Sequence, residues 1–110
     1  MVDTNCAWLP GQAEEEIAAM RPHDPFWIEE PLWPPEDAEA LGRLKATCEV
    51  PVAVGENASC AYALRRMIET EAADYVQPSV IKLGLTAAWE LSRACEGTPV
   101  VCAPQVAFFG

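Results

Sequence analysis

Val50-Pro51-Val52-Ala53-Val54-Gly55-Glu56-Asn57 is the stretch on which the fold turns. Five apolar residues, three of them valines, run without polar alternation into a glycine and then an acid. A strand with one wet face would alternate, so an uninterrupted apolar run predicts a strand covered on both faces, the habit of parallel sheets flanked by helices. The acid sits where such a strand would end. Reading outward, the same arrangement recurs: Met1-Val2 leads into Asp3, and Pro25-Phe26-Trp27-Ile28 leads into Glu29. The three acids are spaced 26 and then 27 residues apart. That interval accommodates one strand, one crossover helix and two loops, the length of a βαβ repeat.

The segments between the strands read as helices. From Gln12 to Arg21, Ala13, Ile17 and Met20 fall on one stripe, with Glu14 to Glu16 toward the positive end of the helix dipole. Pro31, Pro34 and Pro35 stiffen the loop after Glu29 and predict a helix start near Glu36, continued by Ala38, Leu41 and Leu44. Ser59 to Glu71 is predicted helical with Cys60, Leu64, Met67 and Ile68 inward; Tyr75-Val76-Gln77 is the next strand. Thr86 to Glu96 forms another helix, capped by Thr86 and stopped at Gly97, before a last strand at Pro99–Cys102 and the apolar end Val106–Gly110. Four β-α units and a closing strand leave an open doubly wound sheet or part of a barrel. A dinucleotide-binding sheet wants a glycine-rich turn after its first strand, and Asp3-Thr4-Asn5-Cys6 stands there instead, so the expected class is α/β with a partial barrel.

Composition narrows the function. The chain has 110 residues, 51% of them hydrophobic, enough for a real core. Seventeen acidic against seven basic residues give a formal charge of −10, which argues against nucleic acid as a partner because phosphate contacts need Lys or Arg. No apolar run nears the roughly 18 residues of a membrane span, and no charged leader with an apolar core is present, so no membrane partner and a cytoplasmic location are expected. The five cysteines, Cys6, Cys48, Cys60, Cys95 and Cys102, contain no C-x-x-C pair and read as small hydrophobes in a reducing compartment. His23, the lone histidine, falls in a turn away from the strand ends. Trp27, Trp89, Tyr62 and Tyr75 read as packing residues, whereas Trp8, Trp33 and Phe108 are candidates to line a pocket.

Carboxylates ending successive parallel strands converge on one face and suit a hard divalent cation held by oxygen. Four local words occur in order: Val2-Asp3-Thr4-Asn5, Trp27-Ile28-Glu29-Glu30-Pro31, Val54-Gly55-Glu56-Asn57, and Gln77-Pro78-Ser79-Val80-Ile81-Lys82-Leu83-Gly84. Together they resemble the barrel domain of the mandelate racemase and muconate lactonizing enzyme family of the enolase superfamily, over essentially the whole chain. The resemblance implies a partial (β/α)8 TIM barrel, about strands three to seven with intervening helices. It implies Mg²⁺ ligands at Asp3, Glu29 and Glu56, and places Asn5, Glu30, Asn57, Ser79 and Gln105 beside the substrate or behind the ligands. The family abstracts a proton α to a carboxylate, with Mg²⁺ stabilising the enediolate that forms. A small carboxylate such as a sugar acid is the implied substrate.

The family's pattern is also broken in places. Ser79 stands where relatives that use a His-Asp dyad carry the aspartate, and Gln105 stands near the position of the histidine. Lys82 is the remaining candidate catalytic residue, although it falls about two residues from where related lysines act, which suits binding a substrate carboxylate or offsetting the acids. A complete barrel needs about 250 residues. The chain is therefore expected to be a fragment of the barrel domain, without the capping domain or the remaining strands, inactive alone, and paired with a missing portion or with itself as a homo-oligomer. Dehydration of a sugar acid is slightly preferred over racemization. Two alternatives stand beside this reading: a non-catalytic half-barrel assembly unit, and an open α/β metal-binding domain in which Asp3 lies away from Glu29 and Glu56.

Overall fold

The structure, a computed structural model, describes residues 1–106. Phe108 and the rest of the apolar end beyond Val106 lie outside the described residues. Strand β1 (Val2–Asp3) is followed by α1 (Pro10–Met20), a 3₁₀ turn (Arg21–His23), β2 (Ile28–Glu29), α2 (Ala38–Thr47) and β3 (Val52–Val54). Then come α3 (Ala61–Glu69), β4 (Tyr75–Val76), a one-turn helix α4 (Val80–Leu83), α5 (Leu85–Ala94) and β5 (Val101–Cys102).

All strand pairs are parallel and the spatial order is the sequence order, β1-β2-β3-β4-β5. A doubly wound sheet must reverse direction somewhere, and this one does not. Crossovers of one hand in one direction leave the helices on a single face, as in the wall of a barrel. The register makes the two faces explicit. Val2, Ile28, Val52, Val54, Val76 and Cys102 join the helix-packed core. Asp3, Glu29, Ala53, Tyr75 and Val101 form one register row across all five strands, on the opposite face. β3 is the most deeply covered strand, with all three residues buried, as its continuous apolar run predicts.

The helices bury the stripes that helical spacing dictates: Ala13 and Ile17 from α1; Ala40, Leu41 and Leu44 from α2; Leu64, Met67 and Ile68 from α3; Ala88 and Leu91 from α5. α1 packs on α2 and α3 on α5. Asp37 caps α2, its Oδ1 accepting from the Ala40 amide at 2.9 Å, which satisfies one donor of the first turn. Asp74, just before β4, accepts from the Val52 amide at 2.8 Å and faces Lys45 at 3.4 Å, tying the starts of β3 and β4 to α2.

Several local expectations are corrected. α1 begins at Pro10, so Glu14 to Glu16 lie beyond its first turn. α3 begins at Ala61 with Cys60 as its exposed N-cap, because Leu64, Met67 and Ile68 already fill the inner stripe. Of the cysteines only Cys95 is buried. Trp89 is 64% exposed: Ala88, Leu91 and Cys95 face the core, and a residue one step from Ala88 is turned some 100° away. Tyr62 is likewise exposed on α3. α5 starts one residue before Thr86, and Gly84 precedes it as the cap. Gly97 does follow its end, at φ 81°.

Candidate metal centre

Asp3 and Glu29 are register partners at the ends of β1 and β2, so their side chains project from the same face of the sheet at the same height. β3 ends at Val54, and Gly55 then turns the chain at φ 118°, which brings Glu56 back over the ends of its neighbours. Only glycine adopts that φ readily, and a Cβ there would lie 2.3 Å from Leu64 Cδ2. One carboxylate oxygen from each of Asp3, Glu29 and Glu56 lies within 4.8 Å of the others. The expectation of the open binding-domain alternative, that Asp3 stands apart, fails on this geometry.

The donor set is three carboxylates with no nitrogen or sulfur, which matches a hard cation such as Mg²⁺ or Ca²⁺ and not a soft one. Two unit negative charges 4.8 Å apart repel by roughly 3 kcal/mol at an effective dielectric near 20, before solvent screening, so a cation is the natural counter-charge. Glu56 registers that crowding. Burial first, then the charges of Glu29, Asp3 and Glu30, push its carboxyl above the usual range, and Lys82 partly opposes them.

The three carboxylates are individually held. Asp3 Oδ1 accepts from the Asn5 amide at 3.0 Å and Oδ2 from Asn5 Nδ2 at 3.3 Å. Glu29 is buried and its Oε2 accepts from the Trp27 indole Nε1–H at 2.9 Å. Thr4 Oγ1 donates to the Glu30 carbonyl at 2.8 Å, binding the turn after β1 to the end of β2. Glu30 adopts φ 45°, which breaks β2 straight after Glu29 and sends the second glutamate beneath the β3–α3 loop. There it is 1% exposed, and its Oε1 accepts from the amides of Gly55 at 2.8 Å and Asn57 at 3.1 Å. Burial pushes its carboxyl upward while those two amides pull it down. Cys6 Sγ touches the other oxygen of Glu30 at 3.6 Å, and burial together with that acid raises the thiol to about 11. Glu30 thus fastens the loop that carries Glu56, and Asp3, Glu29 and Glu56 form the triad without it.

Beside the triad lies an open cleft of ≈ 400 Å³ lined by Asp3, Asn5, Glu56, Asn57, Ser79, Lys82 and Gln105. Every site residue singled out in the sequence, apart from Glu29 and Glu30, therefore borders one cleft. Ser79 and Gln105 face each other across a parallel bridge that continues the sheet, with the Val80 amide donating to the Gln105 carbonyl at 3.0 Å. Lys82 is placed by α4, and its Nζ donates to the Glu56 carbonyl at 2.6 Å. A second cleft of ≈ 500 Å³ adjoins it across Asn5 and Asn57, with the exposed Trp33 ring on its wall. Trp8, the other candidate lining residue in this part of the chain, is buried in the core instead.

Sequence reasoning missed the indole of Trp27, which it assigned to packing. Trp27 is half-buried on the carboxylate face, its ring tilted against that of Tyr75 with centroids 4.8 Å apart. The signal was available: residues i and i+2 of a strand share a face, so Trp27 and Glu29 had to be neighbours.

Comparison with known proteins agrees with this fold. The chain is 32% identical over 90 residues to a D-galactonate dehydratase of Ralstonia nicotianae, a match covering 81% of this chain and 23% of that protein. It is 28% identical over 82 residues to a D-xylonate dehydratase of Haloferax volcanii, covering 73% of this chain and 20% of that protein. Among solved structures, L-talarate dehydratase from Polaromonas sp. JS666, complexed with Mg and L-glucarate, superposes with a TM-score of 0.89 at 30% identity, covering 97% of this chain and 30% of that one. The chain thus spans about a fifth of the length of the two curated relatives. The model of the enolase C-terminal domain-like family matches residues 1–110, and with the parallel barrel wall and the carboxylate triad already in place, the chain belongs to that family, that of mandelate racemase and muconate lactonizing enzyme in the enolase superfamily.

Proposed function

We propose that this chain is the Mg²⁺-holding portion of an acid-sugar dehydratase, acting on a small carboxylate whose α-proton is removed. The observation that carries the reading is the convergence of Asp3, Glu29 and Glu56 within 4.8 Å at the carboxyl ends of three adjacent strands. A bound Mg²⁺ supplies the positive charge that makes an α-proton of a carboxylate removable near neutral pH. The chain's own residues do the rest of the positioning. Asn5 orients Asp3, Glu30 fastens the Glu56 loop, and Ser79, Asn57 and Gln105 offer hydrogen bonds to hydroxyls of a polyol in the cleft. Lys82, with its ammonium at the cleft wall and bonded to the Glu56 carbonyl, serves to attract the substrate carboxylate. Ser79 and Gln105 replace the dyad by which some relatives move the proton, so the proton-removing base belongs to barrel residues outside this span, and the 110-residue chain alone binds without turnover. Dehydration is preferred over racemization because both curated relatives named above are sugar-acid dehydratases.

The test is a Mg²⁺ titration of the chain and of Glu56→Gln, followed by NMR in D₂O with D-galactonate and D-xylonate. We expect Mg²⁺ affinity to fall about tenfold or more in Glu56→Gln, as for loss of a charged ligand, with Mg²⁺-dependent broadening of the sugar-acid signals and no exchange of the α-proton. Equal affinities would remove the metal reading, and brisk exchange by the chain alone would remove the claim that the base lies elsewhere.

A second reading, a self-associating half-barrel, has its own support. Among the described residues β1 and β5 each have one neighbour, and the exposed Phe26 and Val101 flank the half-buried Tyr75 away from the helix-packed core. Sedimentation as a Mg²⁺-independent dimer would favour it.

A further inference from the structure

Carboxylates can meet a cation with one oxygen or with two, and the choice affects which cation is preferred. Mg²⁺ demands near-ideal octahedral geometry at about 2.0–2.1 Å from single oxygens, whereas Ca²⁺ accepts six to eight oxygens at about 2.3–2.6 Å and readily takes a carboxylate by both. Of the three acids, Glu29 is the buried one, with the least room to turn. Its Oε2 already accepts a hydrogen bond from the Trp27 indole N–H at 2.9 Å. The indole is itself fixed: its ring centroid lies 4.8 Å from that of Tyr75 and 5.2 Å from that of Phe26, both tilted contacts. Tyr75 belongs to the same register row as Glu29, two strands away, so the stack braces Trp27 from within the sheet.

Resting on the metal reading above, we infer that Trp27 is a positioning residue that restricts Glu29 to single-oxygen ligation and so biases the centre toward Mg²⁺ over Ca²⁺. The indole N–H engages one oxygen in a charge-assisted hydrogen bond, which would favour the other oxygen for the cation. Packing alone does not account for the ring's orientation. The pleat alone puts Trp27 on the carboxylate face beside Glu29, but ring packing against Tyr75 and Phe26 does not require its one polar atom to point at Glu29, as it does at 2.9 Å.

The test is Trp27→Phe, which keeps an aromatic ring against Phe26 and Tyr75 and removes the donor together with part of the indole's bulk. Calorimetric titrations with MgCl₂ and with CaCl₂ are run on wild type, Trp27→Phe and Glu56→Gln. In Trp27→Phe, Mg²⁺ affinity is expected to fall at least about tenfold, the scale of one hydrogen bond to a charged group. Ca²⁺ affinity should hold or rise as the freed oxygen joins the shell, so the Ca²⁺/Mg²⁺ affinity ratio increases at least about threefold. A loss of general packing would weaken both cations alike and leave the ratio unchanged. An unchanged ratio overturns the inference. A second measurement stands on wild type alone, by ¹H–¹⁵N spectra of the assigned indoles in saturating Mg²⁺. The Trp27 indole proton should exchange with water at least about tenfold more slowly than that of exposed Trp89. Equal exchange rates overturn the inference even if Trp27→Phe fails to fold. Failure of the metal reading looks different, since wild type would then bind neither cation more tightly than Glu56→Gln does.

Discussion

Gly55→Ala offers a direct test of how the sheet delivers Glu56 to the triad. The added Cβ would meet Leu64 Cδ2 at 2.3 Å and the Gln77 backbone nitrogen at 3.3 Å, at a φ of 118°. Leu64 is fully buried, so its methyl has little free space to retreat into, and the β4 backbone is pinned by the Gln77 amide donating to the Val54 carbonyl at 2.8 Å. Holding a non-glycine residue in that region costs about 1–3 kcal/mol, and inserting a methyl into a packed core costs about 1–3 kcal/mol more. A loss of about 3 kcal/mol, divided by a urea slope of about 2 kcal/mol/M, lowers the unfolding midpoint by about 1.5 M. The assay is urea unfolding followed by tryptophan fluorescence, with Leu64→Ala and the double variant completing a cycle. Leu64→Ala alone should cost about 2–5 kcal/mol as a cavity, and the double variant should cost less than the sum by about 1–2 kcal/mol because the clash is gone while the φ strain stays. A midpoint within about 0.3 M of wild type, below the smallest loss worked above, would refute the strain argument. Strict additivity in the cycle would refute the role of Leu64.

Two further outcomes are expected. Glu30→Ala removes the acceptor shared by the Gly55 and Asn57 amides and leaves the first of them buried without a partner. A loss of about 2–4 kcal/mol should follow, with faster hydrogen exchange at both amides, whereas Glu30→Gln keeps a carbonyl acceptor and should lose less; unchanged exchange at Gly55 would contradict the loop-fastening role. The thiols should separate by reactivity: burial pushes Cys95 from 9.0 to about 11, whereas Cys60 is exposed. At pH 8 that leaves the Cys95 thiolate at about 0.1% in place of about 10%, so Ellman's reagent should modify Cys60 at least 100-fold faster, as read by peptide mapping and by loss of the fast phase in Cys60→Ser. Since the folded state holds this thiol neutral, its contribution to stability is present below pH 9 and is lost as pH rises toward 11. Equal labelling rates for Cys60 and Cys95 would refute the burial of Cys95.

Sequence alone was enough for the β-α order, the inner helix stripes and the three acids at strand ends, because each is a local rule. The period of 3.6 marks Leu64, Met67 and Ile68 as one face, and a continuous apolar run marks Val52–Val54 as a strand covered twice. Equal spacing of acids at strand ends became a cluster because parallel strands in sequence order keep their ends level. Tertiary structure decided what depends on partners distant in the chain. Glu30 sits next to Glu29 in sequence, yet a left-handed backbone at φ 45° sends it under a loop 25 residues away. Lys82 reaches the Glu56 carbonyl only because the short helix Val80–Leu83 forms, which no periodicity announces in four residues. Trp89 and Trp27 read alike as packing residues, but one is left facing outward by a stripe that was already full, and the other is turned toward a carboxylate. Composition carries no direction, whereas burial and hydrogen bonding do, and those are fixed only when the sheet brings its strands together.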